Sequence, residues 1–240
     1  MLNDAEVTEI INWHYETRAR KTIQSLEKNN IHAEYAVDRA DALAKLIEAI
    51  PPDATIGIGD SVTLHQIGFY GWLNVQKDRT VYNPFIRNPE TGKLIYTPSE
   101  HFAMLQKALI ADVYLTSTNA VTLDGKLVSL DGRGNRVAAM LFGPKKVVLV
   151  AGANKIVKDL DEAMLRMEIA APLNGRRHQI KHGSEKYDKF PCIATGTCSH
   201  CKTSFRMCRK WVIIDGQSVD VMAPEESGIS VIIVGESLGF

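Results

Sequence analysis

The chain has 240 residues, 45% hydrophobic and 23% charged, as expected for an ordinary globular protein with one substantial core. Its 28 lysines and arginines balance its 28 aspartates and glutamates, so no net positive charge favours nucleic acid or an anionic membrane surface as a partner. The apolar runs are too short to span a bilayer and the N-terminus lacks signal-peptide features, so we expect a cytoplasmic protein whose four cysteines form no structural disulfides.

The first 30 residues predict a long helix. Asn3 or Asp4 can cap it, and apolar residues recur at helical spacing along most of its length. A strand over 33–36 and a second helix over 40–50 follow. We therefore separate an N-terminal helix, residues 1–30, from the rest of the chain.

A first glycine turn, residues 57–61, follows a predicted strand over 55–58 and precedes a helix. Glycine turns that join a strand end to a helix N-terminus are typical ligand sites in parallel α/β sheets. The turn has neither the third glycine of the dinucleotide fingerprint nor the Gly-Lys-Ser/Thr of a P-loop. Asp60 either caps the helix or orients a hydroxyl or amine of a ligand. The candidate ligand-binding residues here are Gly57, Gly59, Asp60 and Ser61.

The stretch after this turn gives weaker signals. We interpret His65, one helical turn further on, as a partly buried structural histidine rather than a catalytic base. Residues 71–97 contain several proline and glycine turns and predict a long loop with little regular structure, which is a candidate lid. A helix over 100–111, capped by Thr97 or Ser99, leads into the next strand.

The most informative stretch is residues 112–136. A strand over 113–115 runs into Thr116-Ser117-Thr118-Asn119, and Asp124-Gly125 suits a hairpin turn. A second glycine turn, residues 131–136, then precedes a helix starting near Asn135, whose N–H groups would point at an anion with Arg136 as its fork. Alternatively, the hairpin and turn serve only the fold. The candidate ligand-binding residues are Thr116, Thr118, Asn119, Asp131, Gly132, Gly134, Asn135 and Arg136.

The remaining chain continues the alternation of strands and helices. We predict a strand over 147–151, a helix over 160–171 that Pro172 and Gly175 break, and two strands, 211–214 and 229–234, that complete the sheet. The alternation predicts an α/β fold with a mainly parallel sheet covered by helices on both faces.

Two groups of basic residues in this part have a structural and a functional interpretation. Lys155 follows a strand end, where an exposed lysine in a turn is the default and an anion ligand the alternative. The basic run is defined as Arg176, Arg177, His178, Lys181 and His182. We interpret it as a solvated helix face, with an acidic partner or a ligand as the alternative.

All four cysteines lie within residues 190–211, the cysteine segment. They are Cys192, Cys198, Cys201 and Cys208. The Cys198-x2-Cys201 spacing is typical of metal ligands, but the outer gaps match neither a zinc ribbon nor a bacterial ferredoxin. An iron–sulfur cluster or a zinc ion is favoured over a redox dithiol or inert thiols, and His200 is a possible substitute ligand.

The chain resembles the LUD-domain family of lactate-utilisation proteins, formerly DUF162. The resemblance spans nearly the full length and is carried by residues 57–64, 116–157, 191–209 and the final VGESLGF. It implies a LUD-type α/β domain over residues 31–240 with a NagB/RpiA/CoA-transferase-like fold, in which ligands bind at glycine turns. It also implies a part in oxidising lactate to pyruvate beside iron–sulfur electron-transfer subunits, but no catalytic residues.

Three hypotheses for the function follow. The first is a redox accessory or subunit in oxidation of lactate or a related 2-hydroxy acid, with an iron–sulfur cluster on the four cysteines. The second is a transferase, isomerase or ligase for a phosphorylated or CoA-like molecule, with structural zinc. The third is a non-catalytic ligand-binding subunit. Each of the three hypotheses requires a small anionic ligand, and each is compatible with a homo-oligomer.

Overall fold

The computed structural model describes residues 2–183, 185–218 and 228–240, without the side chains of residues 185 and 186. The helices are α1 (Asp4–Lys28), α2 (Arg39–Glu48), α3 (Val62–Gln66), α4 (Phe69–Asn74), α5 (Pro98–Ala108), α6 (Asn135–Leu141), α7 (Leu160–His182), α8 (Glu185–Asp188) and α9 (Pro191–Thr195). The strands are β1 (His32–Ala36), β2 (Ile56–Ile58), β3 (Val81–Tyr82), β4 (Val113–Thr116), β5 (Ala120–Thr122), β6 (Leu127–Asp131), β7 (Lys146–Gly152), β8 (Ile156–Val157), β9 (Lys210–Ile214) and β10 (Gly228–Val234).

Six strands form a parallel sheet in the order β1-β10-β7-β4-β2-β3. Alternate side chains of β7 point to opposite faces: Val147, Leu149 and Ala151 join the core beneath α1, and Val148 and Val150 join the core beneath α2 and α4. The predicted α/β fold with a mainly parallel, helix-covered sheet is therefore confirmed.

A second sheet departs from the prediction. Strands β8, β5, β6 and β9 form a separate four-stranded sheet, in which the β5–β6 and β6–β9 pairs are antiparallel. The prediction that residues 211–214 complete the main sheet was wrong. The hairpin at Asp124-Gly125 pairs β6 with β5 outside the parallel sheet, and the free edge of β6 pairs with β9.

The helix starts follow their capping residues. Asn3 forms a capping box with Glu6, and Ser61 accepts a hydrogen bond from the Leu64 N–H at 3.2 Å. Thr97 caps α5, which begins directly with Pro98. The first three turns of α1 are exposed, and its second half buries Ala19, Thr22 and Leu26 against the sheet.

Helix α7 is longer than predicted, because it runs from Leu160 through Pro172 to His182. Pro172 removes one N–H but is itself buried, and the helix continues past it. Gly175 is a packing site rather than a break, since a Cβ there would lie 3.0 Å from Ile193 of α9. The continuation places the basic run on the same helix.

The stretch 71–97, predicted as a loop, is only partly irregular. It contains the end of α4, the short strand β3 and an isolated bridge between Arg87 and Leu94. In the described part of the chain, none of the helices combines the length and apolar character that crossing a bilayer requires.

Candidate functional site

A cavity of about 520 Å³ opens at the carboxyl ends of β2, β4 and β7, three neighbouring strands of the parallel sheet. Ser61, Ser117 and Lys155 follow these strands in turn and all line it. Helix α7 and the cysteine segment form the opposite walls. The cavity therefore lies where parallel α/β sheets bind their ligands.

Both glycine turns reach this cavity, but not all of their predicted ligand-binding residues line it. Those that do are Asp60, Ser61, Thr118, Asn119, Asp131, Gly132, Asn135 and Arg136. Those that do not are Gly57, Gly59, Thr116 and Gly134. A Cβ on Gly59 would lie 2.4 Å from Thr116 Oγ1, and one on Gly57 would lie 2.5 Å from the Ala108 carbonyl oxygen. These two glycines thus allow close packing of protein against β2.

Asp60 does not cap α3, because Ser61 does. Its carboxylate accepts hydrogen bonds from Lys181 at 2.9 and 3.0 Å and from Arg177 at 3.2 Å. Burial alone would raise the pKa of Asp60, but the charges of Arg177 and Lys181 outweigh it and lower the pKa to about 2. The interpretation of the basic run as a solvated face is corrected for these two residues, which face an acidic partner and the cavity.

The Arg136 guanidinium is held by the protein on most of its N–H groups. Nη1 donates to the Ser117 carbonyl at 2.7 Å, Nη2 donates to Asn119 Oδ1 and the Leu130 carbonyl, both at 2.9 Å, and Nε faces Asp131 at 3.4 Å. One N–H of Nη1 remains for a ligand. Arg136 therefore fixes the geometry of the second glycine turn, and its bidentate face is occupied by Asn119 and the backbone.

Lys155 is buried, with 4% of its surface exposed, which corrects the default interpretation of an exposed lysine. Its Nζ lies 2.8 Å from Ser117 Oγ, 3.0 Å from Thr63 Oγ1 and 3.2 Å from the Thr118 carbonyl. Burial, followed by the charges of Arg166 and Arg136, holds its pKa well below the usual lysine range.

Two histidines of α7 have defined tautomers. Nε2 of His178 lies 3.0 Å from Arg177 Nη2, and because a guanidinium only donates, Nε2 accepts and Nδ1 carries the hydrogen. Nδ1 of His182 likewise accepts from Arg87 at 3.1 Å. Burial, with nearby cations, lowers the pKa of His178 to about 3 and that of His182 to about 4, so both rings are uncharged at neutral pH.

Buried polar atoms without a hydrogen-bond partner concentrate at this cavity. In residues 2–183, 185–218 and 228–240 these atoms are Arg18 Nε, Arg87 Nε, His101 Nε2, Thr116 Oγ1, Arg177 Nε and His178 Nδ1. Four of these six belong to residues that line the cavity, namely Arg87, His101, Arg177 and His178. Buried N–H groups are nearly always paired in folded proteins, so the walls of this cavity hold an unusual share of unpaired polar atoms.

The four cysteines form no disulfide bonds, and Cys192, Cys201 and Cys208 line the cavity. Burial raises the pKa of Cys192, and the charges of the three other thiols raise it further. No three His, Cys, Asp or Glu side chains of the described residues are placed as ligands of one metal ion. His200 contacts Glu168 at 3.2 Å.

The arginines of the cysteine segment hold its backbone. Arg206 donates to the Cys201 carbonyl at 2.6 Å, and Arg209 donates to the Thr203 carbonyl at 3.2 Å. They therefore shape the loops that carry Cys201 and Cys208 and add positive charge to this wall of the cavity.

The lining residues that the sequence interpretation missed as candidates include Arg87, His101, Phe85 and Tyr187. Arg87 lies in the predicted loop, and no local pattern distinguishes it from a surface arginine. A signal did exist in the basic run, since Arg177, His178, Lys181 and His182 share one helical face. His65 is exposed and does not line the cavity, so it is not the partly buried histidine that we predicted.

The family model described as the LUD domain matches residues 19–218. A crystal structure described as a DUF162 family protein from Deinococcus radiodurans is similar over 92% of this chain and 98% of that chain, with a TM-score of 0.48 and 15% identity. A comparison with curated proteins gave no match.

Proposed function

Since this chain belongs to the LUD domain family, we propose that it binds a small carboxylate, lactate or a related 2-hydroxy acid, as a redox accessory or subunit in its oxidation. The family is associated with lactate utilisation. The binding of a 2-hydroxy carboxylate and the redox role are proposed here in addition to that association. The proposal rests on the cavity rather than on a catalytic motif.

The unpartnered N–H groups around the cavity carry the proposal. Arg177 Nε and Arg87 Nε are charged donors, and His178 Nδ1 is a neutral donor. A carboxylate offers about four lone-pair sites, so it can accept several such donors at once. A neutral ligand with few acceptors would leave them unpaired.

The charge of the walls favours an anion. The acidic lining residues, Asp60 and Asp131, already pair with cations. Among the described residues, lining cations outnumber them: Arg87, Arg133, Arg136, Arg177, Lys181, Arg206 and Arg209. The net positive potential concentrates small anions in the cavity, although the whole chain is neutral. The volume of about 520 Å³ leaves room beside lactate for solvent or for a longer 2-hydroxy acid.

The thiols of Cys192, Cys198, Cys201 and Cys208 are the donor type that iron–sulfur clusters and zinc prefer. They influence one another's ionisation, and replacing their protons by a cationic centre would remove the repulsion between thiolates. Their side chains must still converge, since those described are not placed around one metal. We propose that they hold an iron–sulfur cluster, which when bound would supply electron transfer toward a partner subunit. Zinc is the alternative occupant.

Anaerobic purification tests the metal part. Iron, acid-labile sulfide and zinc are measured on the sample whose absorbance is recorded. A brown protein with stoichiometric sulfide supports the redox role. Colourless protein with one zinc would favour a structural metal and a different reaction.

Ligand binding tests the anion part separately. Isothermal titration of the full chain with lactate, pyruvate and the uncharged lactamide is compared between the wild type and His178→Phe. The phenylalanine keeps an aromatic ring and removes both the Nδ1 donor and the Nε2 acceptor that Arg177 uses, while His14→Phe on exposed α1 serves as the control. Weaker carboxylate binding in His178→Phe alone supports the site; equal binding in both variants would place the ligand elsewhere.

A further inference from the structure

Ser117 and Lys155 form a hydroxyl–amine pair in the cavity wall that the proposed function does not use. Ser117 Oγ lies 2.8 Å from Lys155 Nζ, and both residues are buried and line the cavity. Ser117 directly follows β4 and Lys155 follows β7, and the two strands are neighbours. Reactive groups of parallel α/β sheets are commonly placed at such strand ends.

The surroundings of Lys155 disfavour an ammonium ion. The charged groups facing it are the guanidiniums of Arg136 on α6 and Arg166 on α7. No carboxylate of the described residues forms an ion pair with it, since Asp60 pairs with Lys181 and Arg177. A buried amine beside two cations and without an anion loses its proton easily, which is how lysines become bases or nucleophiles in proteins.

The hydrogen bonds of Lys155 are consistent with an uncharged amine that accepts a proton from Ser117. Such an amine has two hydrogens and one lone pair. The Thr118 carbonyl can only accept, so it takes one hydrogen. Of the hydroxyls of Ser117 and Thr63, one accepts the second hydrogen of the Lys155 amine and the other donates to its lone pair. The shorter distance, 2.8 Å to Ser117 against 3.0 Å to Thr63, favours Ser117 as that donor. The Ser117 hydroxyl also lies 3.1 Å from the Thr118 carbonyl, so its hydrogen turns from that carbonyl to the amine when it donates to Lys155.

We propose that Ser117 is a nucleophile with Lys155 as its base, and that the cavity catalyses acyl transfer from a small ester or thioester that carries a negative charge. The positive walls that favour a carboxylate also favour such a substrate. Arg136, whose Nη1 donates to the Ser117 carbonyl at 2.7 Å, places positive charge beside the carbon under attack. The activity is independent of the cysteines and of the redox role.

The step balances without an oxidant or reductant. Ser117 Oγ forms a bond to the acyl carbon while its proton passes to Lys155 Nζ. The bond from the acyl carbon to the leaving oxygen or sulfur breaks, and the leaving group departs with the proton held by Lys155. Water, deprotonated by the same amine, then cleaves the acyl–Ser117 ester and restores both groups.

The test uses p-nitrophenyl acetate with the full chain, intact mass spectrometry and peptide mapping. We expect one acetyl group on Ser117, and an acetylation rate that rises with pH to a plateau as Lys155 loses its proton. Ser117→Ala should abolish the acetylation. Ser204→Ala, which removes an exposed hydroxyl of the same cavity, should leave it unchanged.

Variants of Lys155 separate a base from a structural residue. Lys155→Met and Lys155→Arg should each slow acetylation about 100-fold or more, since arginine keeps the charge but cannot accept the proton. Circular dichroism checks their folding, and the pH profile and peptide map of the wild type need no variant. An unmodified Ser117, an acetyl group on Lys155 instead, or an unchanged rate in folded Lys155→Arg would overturn the proposal. Carboxylate binding is measured independently of all three results.

Discussion

Lys181 donates hydrogen bonds of 2.9 and 3.0 Å to the two carboxylate oxygens of Asp60, although the residues are 121 positions apart. Arg177 adds a third bond to the same carboxylate. These contacts join helix α7 to the first glycine turn. They bring one wall of the cavity against the end of the parallel sheet, and they hold the Arg177 and His178 donors over it.

Replacing Asp60 tests this connection. Asp60→Asn would leave the cations of Lys181 and Arg177 partly buried without a counter-charge. We therefore expect the free energy of unfolding, measured in urea, to fall by about 3 kcal/mol. Asp53→Asn, at an exposed aspartate in the turn before β2, is the matched control. Equal urea midpoints for the two variants would show that the ion pairs do not hold α7 in place.

The histidines of α7 should make the protein acid-sensitive. Burial lowers the pKa of His178 to about 3, whereas the unfolded residue titrates near 6.5. Between these values the unfolded chain binds more protons, so stability falls as the pH is lowered below about 6.5. At pH 5 the free energy of unfolding should be lower than at pH 7 by about 1 to 2 kcal/mol, after allowance for the partial exposure of His178.

His178→Gln removes this titration. Urea unfolding at pH 7 and pH 5 should show a smaller loss for the variant than for the wild type. His14→Gln on exposed α1 should keep the wild-type loss. The same pH dependence in all three proteins would mean that the pKa of His178 is the same in the folded and unfolded states.

Arg136 should contribute more to the stability of the fold than to ligand binding. Arg136→Lys cannot span Ser117, Asn119 and Leu130 together, so several buried acceptors lose their donor. We expect the free energy of unfolding, measured in urea, to fall by about 2 to 4 kcal/mol. Arg133→Lys, on the exposed side of the same turn, should change little. A stable Arg136→Lys protein with lost carboxylate binding would instead make Arg136 a direct ligand contact.

The cysteine segment gives a prediction independent of the cavity. In the double variant Cys198→Ser and Cys201→Ser, iron and sulfide should both fall to background in anaerobically purified protein, because hydroxyls are poor ligands for these soft centres. Ser199→Ala, between the two cysteines, should keep the metal. Metal retained by the double variant would contradict the ligand assignment.

The local patterns of the sequence were sufficient for the elements that depend on nearby residues. The helix after the first glycine turn, the Asp124-Gly125 hairpin and the helix at Asn135 all lie where the turn residues predict them, although Ser61 rather than Asp60 caps the first of these helices. The parallel sheet followed from the alternation of strands and helices. These features need no knowledge of distant contacts.

Features that depend on distant contacts were missed. Pro172 is a helix breaker in isolation, yet α7 continues because Pro172 and Gly175 are buried in tertiary packing. The local sequence predicts an exposed turn lysine at Lys155. In the folded chain, the neighbouring strands β2, β4 and β7 bring the hydroxyls of Thr63 and Ser117 to its amine. The acidic partner of the basic run, Asp60, likewise could not be identified from residues near α7.

The most direct measurement of the central claim is calorimetric titration of the anaerobically purified full chain with lactate, pyruvate and lactamide. We expect saturable binding of the two carboxylates and none of the amide. We also expect carboxylate binding to weaken about tenfold or more in His178→Phe, since one hydrogen bond to a charged group is worth about 1.5 to 3 kcal/mol. Binding of lactamide as tight as that of lactate, or no heat from any carboxylate, would contradict an anion site in this cavity.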